Sequence, residues 1–154
     1  MTNTVRKAWG HTFFCDDIRI EYDMKITLVG IYPQQMMVIN GEFPVTIPKL
    51  GILARYSEEI DAFSDDGVLE VYFPGEAAPR ITMSAGIEAS RKLVSETVLP
   101  HGSDLEIAGG GTYPIILAPV VIKEPGYIRV RVRHRDQTIK IGACQILGGP
   151  VDSQ

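Results

Sequence analysis

Apolar and polar residues alternate along most of this chain with a period of two, the repeat of a strand with one face in a core. The clearest run lies near the end, where Ile128, Val130 and Val132 take one parity and Arg129, Arg131, Arg133 and Arg135 take the other. A second run sets Leu50, Ile52, Ala54 and Tyr56 against Lys49, Gly51, Leu53 and Arg55, and a third points Leu69, Val71 and Phe73 the same way. Shorter apolar segments at Met36 to Ile39, Ile81 to Met83, Tyr113 to Ile122 and Ile139 to Leu147 add further strands. The run Lys25 to Tyr32 is apolar on both parities, which predicts a central strand covered on both faces. Its Gly30 suggests a bulge or a close backbone approach.

Turn residues punctuate these runs. Asp23 and Met24 fall at the tip of a hairpin-like reversal, Pro33-Gln34-Gln35 breaks the chain, and Pro74-Gly75 and Pro125-Gly126 close strands. Asn40-Gly41 predicts a tight reversal, and the strands on either side of Asp136-Gln137 predict a terminal hairpin. Pro114 and Pro119 assign their strand to an edge or a bulge. Residues 86–99 carry the one helical spacing, with Ile87, Val94 and Val98 ahead of Pro100. Gly109-Gly110-Gly111 reads as a flexible loop without a phosphate-binding pattern. Roughly eight or nine short strands with regular turn signals predict an all-β fold, an antiparallel β-sandwich, immunoglobulin-like or related, with at most that one short helix. A single domain spans residues 1–154 in this reading.

Composition narrows the classes further. Apolar residues make up 45% and charged residues 22% of the chain, an ordinary globular balance that argues against disorder throughout. No apolar run approaches the roughly 20 residues of a membrane-spanning helix. The N-terminal stretch lacks a sustained apolar core and a small-residue cleavage site, so a cytoplasmic protein is expected. The first eight residues should fray until Trp9 and Phe13-Phe14 anchor them. A net charge of −4 disfavours general nucleic-acid binding.

The series Cys15-Asp16-Asp17-Ile18-Arg19, Lys25 to Tyr32 and Phe43-Pro44-Val45-Thr46-Ile47-Pro48-Lys49-Leu50 resembles the opening of a family of small bacterial and phage proteins. Lys123-Glu124-Pro125-Gly126-Tyr127 is a weaker echo of it near the end. No activity is assigned to members of that family. The resemblance implies a fold, a bacterial or phage origin, with a virion as the location in the second case, and no catalytic residues.

Four arginines on one face, Arg129, Arg131, Arg133 and Arg135, form the leading candidate interaction surface. Guanidinium groups pair bidentately with carboxylates and phosphates, so the ladder suits an acidic partner; cross-strand Asp or Glu would equally neutralise it, and that plainer reading is preferred. The acidic run Glu58, Glu59, Asp61, Asp65 and Asp66 has the oxygen ligands calcium takes but not the spacing of a calcium loop. Asp16 and Asp17 could share a site only within a turn, since neighbours in a strand point to opposite faces. His11, His101 and His134 stand in no metal-ligand spacing, and Cys15 beside Phe14 reads as a buried, inert thiol. Cys15 and Cys144 are expected as two thiols rather than a bridge. No metal, cofactor or catalytic residue is assigned, and the function expected is protein contact or self-association. The competing classes are a metal- or small-ligand-dependent enzyme built on the loops and an anion or nucleic-acid binder using the arginine face.

Overall fold

The computed structural model describes residues 8–59, 66–85, 108–134 and 137–149. Eleven strands account for most of them: β1 (Ala8–Ile20), β2 (Ile26–Ile31), β3 (Met36–Ile39), β4 (Val45–Ile47), β5 (Leu50–Glu59), β6 (Val68–Tyr72), β7 (Ile81–Ser84), β8 (Ala108–Leu117), β9 (Val120–Ile122), β10 (Gly126–His134) and β11 (Gln137–Gly148). A four-stranded sheet runs β2-β1-β5-β8, a five-stranded sheet runs β3-β11-β10-β6-β7, and β4 and β9 form a separate ribbon. Every pairing is antiparallel except β3 with β11. The fold is all-β and sandwich-like, as the alternation predicts. The predicted helix at 86–99 lies outside the described residues.

The core sits between the two large sheets. Leu50, Ile52, Ala54 and Tyr56 line the inner face of β5, opposed by Leu69, Val71 and Phe73 and by Ile128, Val130 and Val132. These are the parities that the sequence assigns to the interior. A bulge in the β10–β11 pairing, between Val130 and Arg131, keeps both Ile141 and Cys144 inward. There β1 crosses close to β11, and Thr12 Oγ1 donates to the Ile141 carbonyl at 3.1 Å. A Cβ on Gly10 would meet the Arg55 carbonyl oxygen at 2.5 Å and Ile141 Cγ2 at 2.6 Å, so the strands pack this tightly only over glycine.

Four local expectations are corrected. β2 is an edge strand rather than a central one, and its Val29 and Ile31 are exposed. Gly109, Gly110 and Gly111 are not a loop but the start of β8, paired with Glu58, Ser57 and Tyr56. Gly110 is held against Ser57 so closely that a Cβ would lie 2.7 Å from its Oγ. Asn40-Gly41 makes no hairpin, because β3 joins β11 while β4 joins β9. Trp9 and Phe13 do not anchor the start of the chain in the core; only Phe14 does, at 1% exposure.

The β1–β2 hairpin is as expected, with Met24 at φ 64° and the Met24 amide donating to the Glu21 carbonyl at 3.0 Å. The ribbon of β4 and β9 covers one part of the core with Val120 and Ile122. Arg80 fastens it: its guanidinium lies 3.8 Å from the Phe73 ring centroid, Nη1 donates to the Val121 carbonyl at 2.9 Å, and Nε and Nη2 grip Glu76 at 3.0 and 2.5 Å.

Candidate functional site

Three features outside ordinary core packing follow from this architecture: the outer face of each large sheet and a polar trio sealed between the sheets. On β10 the strict alternation turns Ile128, Val130 and Val132 inward and leaves Arg129, Arg131 and Arg133 on the outer face of the five-stranded sheet. Arg135 lies outside the described residues. Arg133 is committed, its Nε and Nη2 donating to Glu70 Oε1 at 3.0 and 2.9 Å. The other carboxylate oxygen of Glu70 accepts from Tyr72 Oη at 2.9 Å, which raises the phenol's pKa. Glu70 sits directly across from Arg131, yet both its oxygens are taken. Arg129 and Arg131 instead approach the Tyr72 ring, at 5.3 and 5.5 Å from its centroid, and neither has a carboxylate partner among the described residues. On the other side Arg131 faces Lys140 of β11, adding charge of the same sign.

The outer face of the four-stranded sheet is of opposite character. Leu53 lies between Ile52 and Ala54 of the core and therefore points away from it, and the register places Phe13 and Pro114 beside it. The next row is Ile31, Cys15, Gly51 and Ile116 across all four strands. Trp9 is 45% exposed, Phe13 38%, Ile31 50% and Ile116 48%, so this face presents four large apolar side chains to solvent, with a polar row of His11, Arg55 and Thr112 between Trp9 and Phe13. His11 stands among them, packed edge to face on Phe13 at 5.2 Å. Cys15, Leu53 and Ile18 form a small buried cluster at one end of this face, with Ile26 and Leu28 packed on it. Sequence reasoning missed the surface, although Trp9, His11 and Phe13 alternate with Gly10, Thr12 and Phe14 and so share one side.

The trio is Tyr56, Glu58 and His134, at 1%, 0% and 2% exposure. Tyr56 Oη donates to Glu58 Oε2 at 2.9 Å, and His134 Nε2 lies 2.9 Å from the same phenol oxygen and 3.6 Å from Glu58 Oε2. A phenol has one proton, so with Tyr56 donating to Glu58 its oxygen accepts from His134 in the tautomer that carries the hydrogen on Nε2. Glu58 Oε1 has no hydrogen-bond partner among the described residues. Glu58 and Tyr56 come from β5 and His134 from β10, so the trio bridges the two sheets. The acidic run therefore does not act together: Glu58 is buried with Tyr56, Asp66 is exposed, and Asp61 and Asp65 lie outside the described residues, as does His101.

Asp16 and Asp17 are also separated. Tyr32 Oη donates to Asp16 Oδ1 at 2.8 Å, whereas Asp17 accepts from Lys49 at 2.8 Å and Arg19 at 3.4 Å, and the Lys49 bond chiefly holds its carboxyl below the usual range. Cys15 and Cys144 are both free and buried. Burial pushes the Cys144 thiol up to about 11 and raises that of Cys15. Among the described residues no group of three His, Cys, Asp or Glu side chains is placed to hold a metal ion, and no helix is long and apolar enough to cross a membrane. Comparison with family models, with curated proteins and with solved structures returns no match.

Proposed function

We propose that this protein is a non-enzymatic β-sandwich module that works through protein contacts, and that a second copy of the chain is what covers the outer face of its four-stranded sheet. The exposure of Trp9, Phe13, Ile31 and Ile116 on that one face carries the reading. Single exposed apolar residues need no explanation, but several large ones gathered on one sheet face point to an interaction site. Three strands about 4.8 Å apart from Trp9 on, joined by β2 at Cys15, offer a face of at most roughly 15–20 Å by 25 Å. That is about 400–500 Å², roughly half of the ~800 Å² per partner that complexes of standard size bury, and it suits a weak, concentration-dependent dimer. Arg55 is the charged residue opposite His11 on this face, and a two-fold pairing that brings an identical face to meet it can leave that row at the rim.

A cytoplasmic location, or a virion for a phage-encoded chain, belongs to the same proposal. Trp9 is the chain's one tryptophan and lies on the proposed interface, so its emission reports directly on association. Raising the protein concentration should shift that emission to the blue and reduce its quenching by acrylamide. Emission and quenching that stay constant up to high concentration would remove the second copy as the occupant.

A further inference from the structure

Resting on the contact-module reading, we infer that the outer face of the five-stranded sheet is a second contact site, in which Arg129 and Arg131 take two carboxylates spaced two residues apart on an extended acidic segment of a protein partner. Among the described residues Glu70 is the one carboxylate in register with these arginines, and its two oxygens serve Arg133 and Tyr72. Arg129 and Arg131 are thus left without a counter-ion among the described residues, with Lys140 across from Arg131 adding a third positive group. Both guanidiniums approach one phenol ring, which narrows their rotamers and lowers the entropy lost when they pair.

The spacing selects the partner. Residues two apart on a strand are about 7 Å apart on one face, the same interval at which an extended peptide presents alternate side chains. A chain with Asp or Glu at every second position therefore matches Arg129 and Arg131 one to one, each in a charge-assisted pair. Nucleic acid fits less well. Its affinity grows with the number of phosphates neutralised, and this face offers few cations around a resident carboxylate on a chain of net charge −4. The ring nearest the arginines, Tyr72, is already engaged by them rather than open for a base to stack on.

The test is fluorescence anisotropy with a labelled peptide alternating Glu and Thr, a peptide of the same composition with its Glu and Thr in separate blocks, and a short oligo-dT. The alternating peptide should bind at low salt, weaken with added salt, and be preferred over the blocked one. Replacing Arg129 and Arg131 together by Ala should weaken it by about tenfold or more. Arg55→Ala, on the opposite sheet, should leave it unchanged. Glu70→Gln should strengthen it several-fold by releasing Arg133, a gain that misfolding cannot mimic. No binding of the alternating peptide, equal binding of the two peptides, tighter binding of oligo-dT, or no gain in Glu70→Gln would each overturn the inference. Self-association through the other sheet is measured separately and without peptide, so either reading can fail while the other stands.

Discussion

Replacing Tyr56 by Phe removes one oxygen from the interior and keeps the ring in place. That oxygen is the shared partner of Glu58 Oε2 and His134 Nε2, each 2.9 Å away, and both residues are sealed from solvent at 0% and 2% exposure. Glu58 Oε1 already lacks a hydrogen-bond partner among the described residues, and His134 Nε2 stands 3.6 Å from Oε2, beyond hydrogen-bond reach. A buried polar group left unsatisfied costs about 1–3 kcal/mol, and more when it is charged. The loss of the Tyr56 hydroxyl from buried Glu58 places the cost at roughly 2–3 kcal/mol, which for a domain of this size corresponds to a fall in Tm of about 4–12 °C. Tyr113→Phe is the matched control, because its hydroxyl donates only to the Ala85 carbonyl at 3.2 Å from a half-buried position. Its cost should stay near 1 kcal/mol. Urea unfolding followed by circular dichroism, with the slope compared across variants, gives both values. A Tyr56→Phe loss no larger than that of Tyr113→Phe would refute the view that the trio is a coupled network joining the sheets.

Two further outcomes follow from ionisation. Glu76 is held below its ordinary value of 4.5, chiefly by its bond to Arg80 and then by Lys123. A depressed carboxylate adds stability that is complete above that value and disappears as the pH falls through its lowered pKa. Glu76→Gln should therefore destabilise the protein near neutrality and flatten its acid unfolding curve; an unchanged acid limb would contradict the Arg80 clamp. Cys144 is raised from 9.0 to about 11 by burial, so the unfolded chain ionises first and stability should fall as the pH rises through that window, less steeply in Cys144→Ala. Neither thiol should react with an aromatic disulfide at pH 8 until denaturant is added, and rapid labelling of the native protein would count against their burial.

Period-two patterning carried the inner faces of β5, β6 and β10 directly, because each of those strands has one face in the core and one outside. The same rule failed at β2. Ile26, Leu28, Val29 and Ile31 occupy both parities, which reads as coverage on two sides, yet Val29 and Ile31 face solvent on an edge strand. Glycine misled at Gly109 to Gly111, since a residue chosen for close approach to Ser57 looks locally like one chosen for flexibility. Of the candidate surface, the shared side of the arginines was legible from their spacing. Which of them Glu70 neutralises was not, because that depends on the β6–β10 register and on a single carboxylate choosing Arg133. The trio was hidden for a related reason. Extending the inward parity from Tyr56 reaches Glu58, but its meeting with His134 is a contact between sheets that no local pattern encodes.

The central claim is that two copies meet over the apolar face, and sedimentation equilibrium tests it most directly. The wild-type chain should show a concentration-dependent mass rising from monomer toward dimer. Phe13→Asp and Ile116→Asp, each placing a charge on the face and leaving the core between the sheets intact, should weaken association by about tenfold or more while retaining the β-sheet spectrum. A wild-type protein that remains monomeric throughout, or a dimer indifferent to both substitutions, would contradict the account.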